Sequence, residues 1–290
     1  MSSCTRTLGV IGGSGLYELQ GLTQVEEVHQ MTPFGAPSDV IMAGTLGDTR
    51  LLFLPRHGRD HRLPPHRINY RANVLALKMA GAEQILSISA VGSMNDDIHP
   101  GDMVIVDQFI DRTRHRVDTF FDDDGVVAHV GFAHPIDEQL ASALSNAAKS
   151  CKARVHEGGT YLCMEGPQFS TLAESQLYRS WGVSVIGMTN FPEARLAREA
   201  ELPYATLAMV TDYDCWHATH EAVTVEAVVA VMHENVAKAK EIIVALAQAV
   251  PDPSSCPATS ALAGAIITHP DSIAADVRDK LRPLIGKYIP

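Results

Sequence analysis

The feature that most constrains this chain is a series of short apolar runs separated by segments with helical spacing. Each run has the length of a buried strand, and glycine, proline or polar residues follow most of them. The runs cover 7–11, 51–54, 85–90, 103–106, 183–186 and 204–210. Alternating strands and helices favour an α/β domain with a largely parallel or mixed sheet, whose ligand sites form in loops beyond the strand ends.

Two segments carry clear helical periodicity. Apolar residues recur at helical spacing from Ile68 to Met79, and Gly81 follows where a C-terminal cap belongs. From Val225 to Leu246 the apolar residues alternate steps of four and three, with Thr224 as the N-cap. Both patterns predict amphipathic helices with one face against a core or a partner.

The last forty residues have a different texture, because six prolines begin to interrupt the chain at Pro251. Residues 1–250 are therefore predicted to form one domain. Residues 251–290 are predicted to be a proline-rich C-terminal extension packed on it, with a short helix over 271–281.

Charge and cysteine content argue against several classes of protein. The chain has 34 acidic and 23 basic residues, a formal charge of -11, which disfavours binding of nucleic acid through general electrostatics. Its five cysteines are scattered without a CxxC spacing, which favours a reducing, cytoplasmic compartment. We expect no secretory leader and no membrane association, since no apolar run approaches the roughly 20 residues that a bilayer span needs.

The first predicted strand runs into a glycine cluster that includes Ser14, where backbone N–H groups and a hydroxyl could face an anion. The dinucleotide fingerprint does not fit well, because Glu18 occupies the position of its third glycine. An ordinary tight turn is the alternative interpretation.

A second loop, 56–61, follows another predicted strand and contains two arginines and two histidines. Arg56 has the fork geometry that suits phosphate, and His57 could add a directional donor. His57 and His61 also have the spacing of a helical metal site, but Gly58 and the following prolines argue against a helix. We therefore predict an anion site and no metal.

Two further strand ends could supply anion ligands. Ser89 and Ala90 lie at the end of the run 85–90, and Thr189 lies between a predicted strand and a predicted helix start at Pro192. Met188, beside Thr189, has core packing as its simplest interpretation.

Two acids, Asp212 and Asp214, follow the strand 204–210. Carboxylates two residues apart at a strand end can share one pocket, and their repulsion raises the pKa of one of them. A protonated carboxyl can then donate to a leaving group. A pair of solvated loop acids is the alternative interpretation.

Nine segments in colinear order, from about Leu8 to about Leu246, resemble the purine nucleoside phosphorylase family, and most closely its branch that acts on 5′-methylthioadenosine. The segments are GVIGGSGLYEL (9–19), TPFGAPSD (32–39), RHGRDH (56–61), NYRAN (69–73), the loop 89–92, DQFIDRT (107–113), EGPQFST (165–171), GMTNFPE (187–193) and TDYDCW (211–216).

The resemblance implies a single-domain mixed β-sheet flanked by helices. It also implies a transferase of purine and methionine salvage, in which inorganic phosphate cleaves a nucleoside to adenine and 5-methylthioribose 1-phosphate. Phosphate is a co-substrate of that reaction, which uses no metal and no organic cofactor. A neighbouring subunit of a homotrimer would lend His134 to the active site.

The resemblance assigns roles to individual residues. The phosphate ligands would be Ser14, Arg56, His57, Ser89, the Ala90 backbone and Thr189. The nucleoside would contact Met188, Phe169, Asp212, Tyr213, Asp214 and His134, and its 5′ group Ser170, Val225 and Val228. Asp212 and Asp214 would be catalytic, with the identity of the proton donor left open because coupled acids titrate together.

Three alternatives stay open at this stage. Val91 stands where many methylthioadenosine enzymes have cysteine and a methylthioinosine branch has valine, although the two acids favour a 6-aminopurine. A hydrolytic nucleosidase would share the fold, and a non-catalytic nucleotide-binding module could use the same glycines and Arg56.

Overall fold

The computed structural model describes residues 6–13, 15–123, 125–217 and 225–289, of which 225–229 are described by their backbone alone. Eleven strands form one mixed sheet, which helices flank. The strands are β1 (Arg6–Gly12), β2 (Thr23–Val28), β3 (Ile41–Leu46), β4 (Thr49–Pro55), β5 (Gln84–Ser93), β6 (Met103–Ile105), β7 (Gln108–Arg112), β8 (Val155–Glu157), β9 (Thr160–Met164), β10 (Val185–Gly187) and β11 (Tyr204–Tyr213). The helices are α1 (Tyr70–Met79), α2 (Glu138–Ser150), α3 (Leu172–Ser180), α4 (Asn190–Glu199), α5 (Val225–Ala247) and α6 (Ala275–Ile285).

The sheet divides at β5. One path runs β2-β3-β4-β1-β5-β10-β9-β7, and a second leaves β5 through β11 and β6 to β8. Strand β1 is parallel to β5 and pairs with it up to Ser87, whereas β10 is antiparallel and pairs with it from Gly92. The segment 88–91 of β5 therefore lies at a switch point between two partners, where open α/β sheets form their ligand crevices.

The predicted α/β class and the mixed sheet are confirmed. All six predicted strands occur, and α1 begins after Asn69, whose side chain accepts a hydrogen bond from the Ala72 N–H at 3.1 Å. The predicted helix over 271–281 is wrong in its bounds, because α6 runs from Ala275 to Ile285 and passes through Pro283. Leu284 and Ile285 are buried, and this packing holds the last turn beyond the proline.

The C-terminal residues share the main hydrophobic core. Leu262, Leu284 and Ile285 belong to the same buried cluster as the side chains of the central strands. The Tyr288 hydroxyl donates to Glu201 at 2.5 Å, and Ile266 forms an isolated antiparallel bridge with Ala128. A domain boundary at residue 250 stays a prediction.

The helices of the described residues offer no candidate for a membrane span, because none combines sufficient length with sufficient hydropathy.

Candidate active site

The first two predicted anion loops lie side by side because their strands pair. Strand β1 is parallel to β4, with Gly12 opposite Pro55, and the Arg56 N–H donates to the Gly12 carbonyl at 2.9 Å. The glycine turn after β1 and the basic loop after β4 thus begin at the same edge of the sheet. Ser14 itself lies outside the described residues.

Arg56 is buried and paired. Its guanidinium grips Glu193 with two hydrogen bonds, from Nε at 2.8 Å and from Nη2 at 3.1 Å. Nη2 also donates to Ser87 Oγ at 2.7 Å, and Nη1 donates to the Ile88 carbonyl at 2.9 Å. Burial alone would lower the pKa of Arg56, but the Glu193 carboxylate more than reverses this and raises it, so the arginine stays charged.

This pairing refines what the sequence predicted for Arg56. The loop pattern indicated a guanidinium whose fork faces an anion, whereas the fork is occupied by Glu193. Nη1 has one acceptor among the described residues, and an NH₂ group carries two protons. One N–H of Nη1 therefore has no further acceptor among the described residues, and its contact with an anion stays a prediction.

His57 is positioned as a neutral ring. Its Nδ1 lies 2.8 Å from the Leu63 carbonyl, and its ring stacks on His61 with centroids 4.1 Å apart. Burial, reinforced by the nearby charge of Arg56, lowers the pKa of His57 to about 4. A carbonyl only accepts, so Nδ1 carries the single proton of the neutral ring and Nε2 is an acceptor. In this tautomer Nε2 would meet an anion as an acceptor, where the sequence suggested a donor, and contact of His57 with an anion stays a prediction.

The third and fourth predicted loops meet at the switch point of β5. Ser89 Oγ lies 3.1 Å from Thr189 Oγ1, and both side chains are buried. Ala90 is exposed although the strand around it is buried, so β5 borders open space here. Two hydroxyls and a strand backbone thus converge beside Arg56, whose Nη1 contacts the preceding residue Ile88.

The two acids lie at the end of β11, next to β5. A β-bulge at Thr211 shifts the register, so that Asp212 stands opposite Gly92. A Cβ on Gly92 would lie 3.1 Å from Asp212 Oδ1 and 3.5 Å from Asp214 Cβ, and glycine therefore leaves room for both side chains. Bulges of this kind re-aim side chains beside functional sites.

Each carboxylate has a hydroxyl partner. Thr211 Oγ1 donates to Asp212 Oδ2 at 2.7 Å, and Ser175 Oγ donates to Asp214 Oδ2 at 2.5 Å. Burial raises the pKa of Asp212, and the charge of Asp214 raises it further. Burial also raises the pKa of Asp214, against the opposing effect of Ser175 and Ser170. The pair therefore holds a proton to higher pH than ordinary aspartates.

Met188 is held through its backbone by a residue that the sequence did not single out. Arg116 donates to the carbonyls of Met188 at 2.7 Å and of Phe191 and Glu165 at 2.5 and 2.6 Å. Its side chain is buried, and it ties together two loops that border the site. In the sequence this arginine is one of three in a polar loop, and nothing distinguishes it from Arg114.

Tyr213, Phe169 and His134 differ in orientation and exposure, and their contacts with substrate stay predictions. The Tyr213 ring points away from the acids and stacks on His217, because successive strand residues face opposite sides. Phe169 is 82% exposed, and His134 is exposed, with its carbonyl accepting from Arg198 at 2.5 Å. Ser170, by contrast, is a hydrogen-bond partner of Asp214.

The side chains of Val225 and Val228 lie outside what the structure describes. Within the described residues, no group of three or more His, Cys, Asp or Glu side chains is arranged to hold a metal ion. A surface groove of about 630 Å³ between α2 and α5 includes none of the predicted site residues.

Comparisons with known proteins match nearly the whole chain. Residues 7–248 match the phosphorylase superfamily. A protein of Geobacter sulfurreducens named S-methyl-5'-thioadenosine phosphorylase is 54% identical over 285 residues, covering 98% of this chain and 99% of the relative. A Thermosynechococcus vestitus protein of the same name is 52% identical, over 98% of this chain and all of the relative (100%).

Comparison with solved structures also finds methylthioadenosine phosphorylases. A methylthioadenosine phosphorylase from an antarctic soil metagenomic library aligns with a TM-score of 0.91 at 43% identity, over 98% of this chain and 99% of that one. A mutant adenosine/methylthioadenosine phosphorylase of Schistosoma mansoni, crystallised with methylthioadenosine, aligns with a TM-score of 0.82 at 34% identity, over 90% of this chain and 98% of that one. The chain therefore belongs to the S-methyl-5'-thioadenosine phosphorylase family, within the phosphorylase superfamily.

Proposed function

We propose that this enzyme cleaves 5′-methylthioadenosine with inorganic phosphate, giving adenine and 5-methylthioribose 1-phosphate. One observation carries the proposal: β5 borders both halves of the site. Ser89 belongs to the hydroxyl and arginine cluster, and Gly92 lies against the two acids. Three residues of extended strand span about 10 Å. This separation accommodates a ribose between an anion at one end and a purine at the other.

The anion end would bind the attacking phosphate. Ser89, Thr189, the Ala90 backbone and the remaining N–H of Arg56 supply donors around the switch point. The acceptor Nε2 of His57 suits a phosphate that still carries one proton, since its P–OH can donate to the ring. Ser14 stays a further predicted ligand.

The acid end would protonate the leaving base. As the glycosidic bond stretches, negative charge develops on the purine, and a proton delivered to N7 stabilises the transition state more than the ground state. We assign this proton to Asp212, whose raised pKa favours the protonated form. Asp214 would accept from the 6-amino group, which a carboxylate suits better than a 6-oxo group.

The remaining contacts follow the family resemblance. Met188 would carry the ribose, and Phe169 would cover the base once substrate is bound. Tyr213, which lies between the two acids in the chain, would act by holding them in position. The 5′-methylthio group favours an apolar pocket, which would be lined by Ser170, Val225 and Val228.

The oligomeric state, the compartment, the metabolic role and the absence of a cofactor are also proposals. We infer a cytoplasmic homotrimer in which the exposed His134 reaches a neighbouring subunit's site, acting in purine and methionine salvage without metal or organic cofactor. Sedimentation would test the assembly, and a dimer or monomer as the active species would contradict it. Unchanged turnover after dialysis against a chelator is the result expected for the cofactor proposal.

A side-by-side assay tests the reaction. Methylthioadenosine, methylthioinosine and inosine are compared at one concentration, each with and without phosphate. We expect methylthioadenosine to be cleaved fastest and only with phosphate. Faster cleavage of methylthioinosine or inosine would contradict the substrate, and cleavage independent of phosphate would indicate a hydrolase.

A further inference from the structure

Tyr161 places a hydroxyl beside Ser89, whose own hydroxyl lies against Thr189 at the switch point of β5, and it belongs to neither of the elements that carry these two residues. It lies in β9, whose Tyr161 pairs with Val185 of β10. Its hydroxyl is 3.0 Å from Ser89 Oγ on β5, and Ser89 Oγ is in turn 3.1 Å from Thr189 Oγ1. The side chain therefore crosses beneath the whole of β10 to reach β5.

Gly187 makes this crossing possible. A Cβ at position 187 would lie 2.0 Å from the Tyr161 hydroxyl oxygen, far inside any allowed contact. The glycine at the end of β10 and the tyrosine of β9 thus form a matched pair, and the phenol is fully buried (0% exposed) in the resulting space. The Tyr161 ring fits in this space only because residue 187 has no side chain. The fit places one polar atom, the phenol oxygen, beside Ser89.

Counting protons shows what the phenol supplies. Ser89 and Thr189 carry one hydroxyl proton each, and a proton that they share with one another is lost to an anion. The phenol is fully buried, and among the described residues Ser89 Oγ is the acceptor that lies within hydrogen-bond distance of it, so the phenol proton is donated to Ser89 Oγ. Burial raises the pKa of Tyr161 to about 12, so the phenol keeps this proton at neutral pH.

We propose that Tyr161 is a positioning residue of the phosphate site: its hydroxyl donates to Ser89 Oγ, which leaves the Ser89 and Thr189 protons directed at the anion. This inference rests on the proposed function, because that function puts phosphate against these two hydroxyls. Tyr161 acts through Ser89 and touches no reacting atom.

The variant Tyr161→Phe tests the role, since it removes one oxygen and keeps the ring beside Phe109. We expect the KM for phosphate to rise about three- to tenfold, the effect of one hydrogen bond, with the KM for methylthioadenosine and kcat within about twofold. Tyr288→Phe is the matched control, because it removes a hydrogen-bonded hydroxyl in the C-terminal extension. It should leave both KM values unchanged.

A double-mutant cycle separates this role from simple loss of packing. In the background of Ser89→Ala, Tyr161→Phe should change the phosphate KM by less than about twofold, since its target is gone. Additive effects, an unchanged phosphate KM in the single variant, or equal rises in both KM values would overturn the inference. Phosphate-independent cleavage by the wild type would instead overturn the proposed function itself, and the inference with it.

Discussion

Asp212 and Asp214 are two residues apart but have different surroundings. Thr211, the neighbouring bulge residue, supplies the hydroxyl on Asp212, whereas α3 supplies Ser175 to Asp214. Burial raises the pKa of both acids; the charge of Asp214 raises that of Asp212 further, and the charge of Glu174 raises that of Asp214. The sequence predicted this coupling from spacing alone, but it could not identify the hydroxyl partners.

Asp212→Asn is expected to lower kcat for methylthioadenosine by something like 10²- to 10⁴-fold, because the amide cannot deliver a proton. Asp214→Asn is the matched comparison and should act mainly on KM and on the preference for a 6-amino group. Steady-state kinetics at saturating phosphate measure both. A wild-type kcat in Asp212→Asn would remove the residue from the mechanism.

His57 gives a prediction about stability and pH. Its pKa is lowered from 6.5 to about 4, so the unfolded chain takes up the proton first as the pH falls. Stability from this residue is complete above pH 6.5 and is lost as the pH falls toward 4. Glu199, whose pKa burial raises to about 7, acts in the opposite direction and is common to wild type and variant.

Between pH 7 and 5, His57→Asn should therefore lose roughly 1 to 2 kcal/mol less unfolding free energy than the wild type. Denaturant melts at the two pH values measure this difference, with the exposed His66→Asn as control. Equal losses in all three proteins would contradict the assigned burial of the neutral ring.

At the scale of elements, the strands that the sequence revealed are the fully buried ones. Strand β5 is buried at eight of its ten residues, and burial on both faces is typical of central strands. Strand β2 was missed because five of its six residues are exposed, so it has no apolar pattern. Glu193 was missed as the partner of Arg56 because 137 residues separate them in the chain.

Helix α3 connects local helix stability to the base end of the site. Thr171 and Glu174 form a reciprocal capping box at its start, and Ser175 follows in the first turn. Thr171→Ala should cost about 1 kcal/mol of stability and loosen the hold on Asp214. We expect a KM for methylthioadenosine about two- to fivefold higher, with the phosphate KM unchanged. A rise in the phosphate KM alone would contradict the assignment of base and phosphate to opposite ends of the site.

At the scale of the whole molecule, the C-terminal extension is part of one core. Because Leu284 and Ile285 pack in the main cluster, the extension and the rest of the chain should unfold together. Leu284→Ala is expected to cost about 2 to 5 kcal/mol, against less than about 0.5 kcal/mol for Ile267→Ala, whose side chain is 65% exposed. Thermal unfolding followed by circular dichroism and by tryptophan fluorescence would give coincident transitions, and separate transitions would contradict a shared core.

The bidentate grip of Glu193 on Arg56 has a consequence for ionic strength. The guanidinium charge is already balanced before phosphate arrives, His57 is neutral, and the chain carries a formal charge of -11. If phosphate binds beside Arg56 as proposed, its recognition would depend on short-range donors and not on long-range attraction, which the negative charge of the whole chain opposes. Added sodium chloride screens that repulsion, so the KM for phosphate should stay level or fall slightly from about 50 to about 200 mM salt, where a site with an unbalanced cation would weaken.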